Sequence, residues 1–138
     1  MKAFPVSMKK MRARGDKEMT INDTIFGKII RGEISSNKIF EDDEILAFRD
    51  IHPVADVHFL IIPKKFIATL NEATLEDAAL LGKMLALAPV LARQEGLTDG
   101  FRTSINTGRM GRQDVYHLHI HVFGNRPGGI ALTTMTGA

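Results

Sequence analysis

Three of the chain's five histidines stand at alternate positions in one short run, His117, His119 and His121, with Leu118, Ile120 and Val122 between them. Side chains at i, i+2 and i+4 of a strand share a face. The run therefore predicts a β-strand with an imidazole face and an aliphatic face, successive imidazoles being about 7 Å apart. A polar loop ending at Gln113 leads in, and the turn-forming Gly124-Asn125-Arg126-Pro127-Gly128-Gly129 leads out. Three chemistries suit such a face. The histidines can be satisfied polar residues of a half-buried strand, or neutral imidazoles that ligate zinc. They can also form a nucleophilic site in which neighbours fix the tautomer and bind an anion. The residue pattern leaves all three open.

The 138 residues suffice for one domain with a sizeable core, although domains of this size gain from oligomerising. Cysteine is absent, which excludes disulfides and cysteine-ligated zinc and fits a cytoplasmic location, the one expected here. No apolar run approaches the ~20 residues of a membrane-spanning helix. The net charge of +2 conceals an asymmetry. Residues 1–18 carry six basic and two acidic side chains, whereas the rest carries 12 basic and 14 acidic ones. The basic character belongs to the N-terminal segment, so no nucleic-acid surface and no membrane contact are expected of the body. Residues 1–18 read as a disordered basic extension and 19–138 as the folded domain.

Residues 24–31 have helix grammar, with Asp23 as the expected N-cap and Gly32 after the last turn. Lys38–Glu41 and Ile45–Arg49 read as a hairpin around Asp42-Asp43, and 58–63 as a buried strand closed by Pro63. The longest helix is expected over 74–94, capped by Thr74 with Asp77 three positions on. Its apolar stripe would be Leu81, Met84, Leu85, Ala88 and Leu91, with a kink at Pro89. Residues 101–106 predict a strand and 107–112 a glycine-punctuated loop, whose amides could face a phosphate although it is no P-loop. His52 reads as a loop residue, and the tail from Ile130 onward has no placement.

The run from Val115 to Val122 resembles the histidine triad motif, His-x-His-x-His with apolar residues at x. Thr24-Ile25-Phe26-Gly27-Lys28-Ile29-Ile30-Arg31 and Phe48-Arg49-Asp50-Ile51 are similar to segments of the nucleotide-binding (Hint) branch of that family, bacterial-type members above all. The resemblance extends from about Asp23 to Pro127. It implies an α+β fold, an antiparallel sheet of about five strands with one long and one short helix, joined as a homodimer.

It also implies a reaction, hydrolysis of nucleoside 5′-phosphoramidates, typically of AMP, to nucleoside monophosphate and amine. His119 would be the nucleophile and form a nucleotidyl-histidine intermediate, with His117 orienting it and His58 behind His117. His121, Asn106 and Gln113 would donate to the phosphate. Phe26, Ile29, Phe48 and Ile51 would hold the purine nucleoside and Asp50 its ribose diol. No cofactor and no metal are implied. Asp114 stands where animal members commonly have serine, Arg112 where a glycine is frequent, and Asn125 replaces a further glycine. Asp114 is expected to favour amine leaving groups over anionic polyphosphates. Other readings remain: dinucleoside polyphosphate hydrolysis as in a sister branch, a nucleotide-sensing or protein-binding module with little turnover, and a metal-dependent hydrolase.

Overall fold

In the computed structural model, residues 8–13 and 17–133 are described. In chain order the elements are β1 (Met8–Ala13), β2 (Lys17–Asn22), α1 (Ile25–Ile30), β3 (Lys38–Glu41), β4 (Ile45–Arg49), β5 (Val57–Pro63), α2 (Ala78–Gln94), β6 (Arg102–Ser104) and β7 (Ile120–Gly124). The strands β3-β4-β5-β7-β6 form one antiparallel sheet in that order, the α+β arrangement expected. β1 and β2 pair in a separate two-stranded ribbon, where a disordered extension over 1–18 was expected for residues 8–13 and 17–18. Only three residues separate the two segments in sequence, one of them Gly15, and that is a hairpin-closing length. Residues 1–7, 14–16 and 134–138 lie outside the described part of the chain.

β5 is the middle strand, and every one of its residues is buried. Its near-continuous apolar run follows from that position, because both faces of the sheet are covered. On one face Ile45, Ala47, Phe59, Ile61, Ile120 and Val122 pack against Met84, Ala88, Leu91 and Ala92 of α2. On the other face Leu46, Phe48, Leu60 and Ile62 pack against Phe26 and Ile29 of α1. Period-two alternation in β4 and β5 thus feeds two cores at once.

The helix ends differ in detail from the expectation. Thr24, not Asp23, caps α1: its Oγ1 accepts from the Gly27 amide at 3.0 Å. Gly32 ends that helix at φ +82°, a left-handed conformation that a side chain would disfavour. The long helix begins with one 3-10 turn, Leu75–Asp77, and the Thr74–Asp77 capping box is formed in both directions. Asp77 is also tied to Lys65 at 2.6 Å. α2 continues through Pro89. Leu85, on the apolar stripe expected to serve core or dimer packing, is exposed in the single chain, since the contact face with the sheet runs through Met84, Ala88, Leu91 and Ala92. The stripe on a straight helix drifts, and the sheet selects the 84–88–91–92 side.

Met84 is fully buried between α2 and the sheet. Met84→Ala is expected to lower unfolding free energy by about 2–4 kcal/mol in urea titrations. Leu75→Ala, at a site 94% exposed, should change it by less than ~0.5 kcal/mol. Equal effects of the two substitutions would contradict this packing.

Candidate active site

The hydrogen-bonded part of the triad strand starts only at Ile120, later than the alternating pattern suggests. His117 and His119 precede it, in a segment held by the Leu118 amide bonding to the Ile67 carbonyl at 2.7 Å. The reason is the partner strand. β5 ends at Pro63, and pairing with β7 stops at Ile61 opposite Ile120. The alternation still sorts the aliphatic residues: Leu118, Ile120 and Val122 are buried. His117 and His119 are buried as well, so the imidazole side is also interior.

Each ring's protons can be assigned from its partners. His117 Nε2 lies 2.7 Å from the Pro63 carbonyl and therefore donates to it. His119 Nδ1 lies 2.7 Å from the His117 carbonyl and donates in turn, which leaves the Nε2 lone pair of the neutral ring uncommitted. The Val54 amide donates to His58 Nδ1 at 3.2 Å, so His58 carries its hydrogen on Nε2. That hydrogen points at His121 Nδ1, 2.9 Å away, so His121 carries its own on Nε2. The outcome is a lone pair on His119 Nε2 beside a donor on His121, the two rings being 4.9 Å apart centre to centre.

Burial keeps these rings neutral. It pushes His117 down to about 4, against the opposing pull of the Pro63 carbonyl. His121 is pushed down to about 4 by burial and then by its histidine neighbours. Burial also lowers His119, with the His117 carbonyl and Asp114 working the other way, and lowers His58 against Asp50. A neutral imidazole is the form that attacks.

Two placements differ from expectation. His58 sits behind His121 rather than behind His117, because the register pairs it with Phe123 and leaves His121 on its diagonal. Gln113 spends its whole carboxamide on the backbone. Its Nε2 donates to the Ala68 and Val115 carbonyls, and its Oε1 accepts from the Gly108 amide. It therefore shapes the loop instead of offering a donor. That loop is tight: a Cβ on Gly111 would collide with the Thr107 carbonyl oxygen, and Arg112 adopts φ +61°.

A cavity of about 290 Å³ opens beside the two catalytic candidates, His119 and His121. Phe26, Ile29, Phe48 and Ile51 give it apolar walls, and Asp50 and Asp114 stand at its mouth with His52. Phe26 meets His119 edge to face at 5.0 Å, so the apolar slot and the lone pair adjoin. Asp114 Oδ1 lies 3.5 Å from His119 Nε2. Asp50 Oδ2 lies 3.4 Å from His58 Nε2, and its Oδ1 accepts from the His52 amide at 2.8 Å. Asn106, half-buried after β6, does not line this cavity, nor do His58, His117 or Gln113. Sequence reasoning missed the backbone partners, the Val54 amide and the Pro63 and Ala68 carbonyls, which carry no residue-type signal. It also missed Phe66, whose ring abuts His117 at 5.5 Å, and Ile25 and Ile34 on the cavity wall.

Among the described residues, Asp50, His58 and His121 offer donor atoms within 4.8 Å of one another, the spacing a cation would need. The protons oppose it. A metal on Nε2 of neutral His58 would put the hydrogen on Nδ1, facing the Val54 N–H. The His58 Nδ1–H would then face the part-buried Val54 N–H, two donors opposed. In the tautomer held here His58 turns a hydrogen, not a lone pair, toward that gap.

The model of the HIT domain family matches residues 31–128. An uncharacterized HIT-like protein of Synechococcus elongatus is 61% identical over 104 residues, 75% of this chain and 91% of that one. The purine nucleoside phosphoramidase of Escherichia coli K12 is 49% identical over 108 residues, 78% of this chain and 91% of its own. The crystal structure of a HIT family hydrolase from Legionella pneumophila superposes with a TM-score of 0.72 at 48% identity, covering 76% of this chain and 98% of that one.

The neutral cluster has a consequence for stability. In the unfolded chain these histidines take up protons near pH 6.5, but His117 and His121 do so only near pH 4 when folded. Their contribution is therefore complete above pH 6.5 and lost as pH falls toward 4. The urea midpoint should fall over that window. The NMR signals of both rings should remain those of neutral imidazole at pH 5.5, where an ordinary histidine is about nine-tenths protonated. Protonated rings at pH 5.5 would contradict the assignment.

Proposed function

The chain belongs to the HIT domain family, and from that premise we propose that it hydrolyses nucleoside 5′-phosphoramidates, AMP derivatives foremost, to nucleoside monophosphate and amine. One observation carries the reading: the tautomer chain leaves a free lone pair on His119 Nε2 next to a hydrogen donor on His121, at the mouth of an apolar slot. The 49%-identical relative named for purine nucleoside phosphoramidase activity supports the substrate class.

In this mechanism the purine lies between Phe26, Ile29, Phe48 and Ile51, and Asp50 accepts hydrogen bonds from the ribose diol. His121 donates to a phosphate oxygen. His119 Nε2 attacks the α-phosphorus in line; an N–P bond forms, the P–N bond to the amine breaks, and the amine leaves with that electron pair and takes a proton from solvent. The ring is cationic once it carries the nucleotidyl group, and its Nδ1–H remains on the His117 carbonyl, which stabilises that charge. Water then attacks phosphorus and gives up a proton to solvent, the histidine–phosphorus bond breaks, and His119 recovers its lone pair. His117 acts through its backbone carbonyl and its anchoring to Pro63, and His58 orients His121. Gln113 holds the loop, and a phosphate-donor role for Asn106 has no support from its position. Exposed Leu85 and Val90 on α2 fit a homodimer joined through that helix. A cytoplasmic location is part of the same proposal; no helix among the described residues is long and apolar enough to cross a membrane.

His119→Ala should reduce turnover of an adenosine phosphoramidate by at least about 1,000-fold while nucleotide affinity stays within a few-fold. Wild-type turnover in that variant would remove His119 from the nucleophile's role. Asp114 is three-quarters exposed, so screening limits its repulsion of a polyphosphate leaving group to under about 1 kcal/mol. Asp114→Asn should therefore shift the kcat/KM ratio toward dinucleoside polyphosphates by only about threefold to fivefold. An unchanged ratio, or a shift the other way, counts against leaving-group selection by Asp114.

A further inference from the structure

The cavity wall next to β3 is made by Ile34 and three consecutive polar residues, Ser35, Ser36 and Asn37. Asn37 is committed to the α2 side of the sheet. Its carbonyl accepts from the Arg49 amide at 2.9 Å, and its Oδ1 accepts from Arg49 Nη1 at 2.9 Å. Arg49 is in turn held by Glu95 just past the end of α2. Adjacent residues of an extended segment point to opposite faces. Ser36 is therefore turned to the cavity face, where Phe48 and Asp50 also stand.

The ladder places it further. Lys38 pairs with Phe48, and Asn37 bonds to Arg49, so the next position sets Ser36 across from Asp50. Opposed residues of an antiparallel pair hold their Cβ atoms about 4.5–5.5 Å apart. The Ser36 Oγ is shut off from solvent and has no hydrogen-bond partner, the one side-chain atom in that condition among the described residues. An orphaned buried hydroxyl destabilises the free protein, and a bound ligand that supplied its partner would relieve that cost. Ser36 as a whole is only half-buried, and one step between staggered χ1 positions carries its oxygen from the wall toward the cavity.

We infer that Ser36 reads the sugar of the bound nucleotide: its hydroxyl donates to the ribose 2′-oxygen while Asp50 accepts from the diol. This rests on the nucleotide reading of the site given above. A carboxylate can only accept, so it takes both diol hydrogens and leaves the diol oxygens in need of a donor. A serine hydroxyl supplies that donor, and a 2′-deoxy sugar has nothing to receive it. The cavity therefore selects ribonucleotides over 2′-deoxyribonucleotides through Ser36 as well as Asp50.

The test measures dissociation constants of AMP and 2′-deoxy-AMP by calorimetry for the wild type, Ser36→Ala and Ser36→Thr, together with the melting temperature of each free protein. Ser36→Ala should weaken AMP about fivefold to tenfold and leave 2′-deoxy-AMP within twofold. Its melting temperature should be equal to or higher than that of the wild type, because the orphan is gone. Ser36→Thr, which keeps the hydroxyl, should restore most of the preference. Equal losses for both nucleotides, no loss for AMP, or a lowered melting temperature with unchanged affinity would each overturn the inference. A wild type that binds neither nucleotide sinks the nucleotide reading itself, whereas tight AMP binding unaffected by Ser36→Ala sinks only the role of Ser36.

Discussion

Two backbone groups decide the protonation of His119, His58 and His121, the carbonyl of His117 and the amide of Val54. The carbonyl can only accept, so it fixes the hydrogen of His119 on Nδ1 and frees Nε2. The amide can only donate, so it fixes the hydrogen of His58 on Nε2 and, one ring further, that of His121 on its own Nε2. Side-chain partners could exchange roles with pH; these cannot. Burial then removes the charged alternative for His117 and His121 across the neutral range. The site is a set of directions fixed in advance, which is what electrostatic preorganisation requires.

The same arrangement explains the apparent waste of burying three imidazoles and half-burying a fourth. Each polar ring atom taken from water costs free energy unless it finds a partner. The cluster meets this by using sheet-end backbone groups and each other as partners. Phe26, Phe48 and Phe66 close the remaining surface with edge contacts. Against that background the Ser36 hydroxyl stands out as the one side-chain atom shut off from solvent without a hydrogen-bond partner among the described residues.

Much of this was legible in the sequence, and the remainder was hidden for identifiable reasons. The strands Lys38–Glu41 and Ile45–Arg49 fall where alternation and the Asp42-Asp43 turn put them; Asp42 Oδ1 accepts from both Glu44 and Ile45 amides. The capping box at Thr74 was readable because its chemistry is local. Long-range register was not. The pairing of His58 with Phe123 decides which triad member it supports, and no spacing within either strand encodes that. Gln113 misled for a related reason: a glutamine beside a nucleophile reads as a ligand donor until its three backbone partners are seen. Helical periodicity defines the stripe that holds Leu85 but not which edge of it meets the sheet and which is left outward.

Fold and site are also joined through the point where β5 stops. Side-chain direction alternates along a strand, so a slip of β7 by one residue against β5 would carry His121 to the α2 face and away from His58. What prevents it is that both faces are filled: Phe59 and Ile61 belong under Met84 and Leu91, and Leu60 and Ile62 under Phe26 and Ile29. β5 then ends in a proline, which has no N–H to extend the ladder, and its carbonyl is taken by His117 Nε2 instead of a strand partner. That single diversion releases β7 from the sheet before Ile120 and lets the chain carry His119 out over the cavity. The histidine that anchors the departure and the one that faces the cavity are two residues apart, so one carbonyl links them directly. The packing of two apolar cores therefore sets the register, the register sets where the ladder breaks, and the break aims the lone pair.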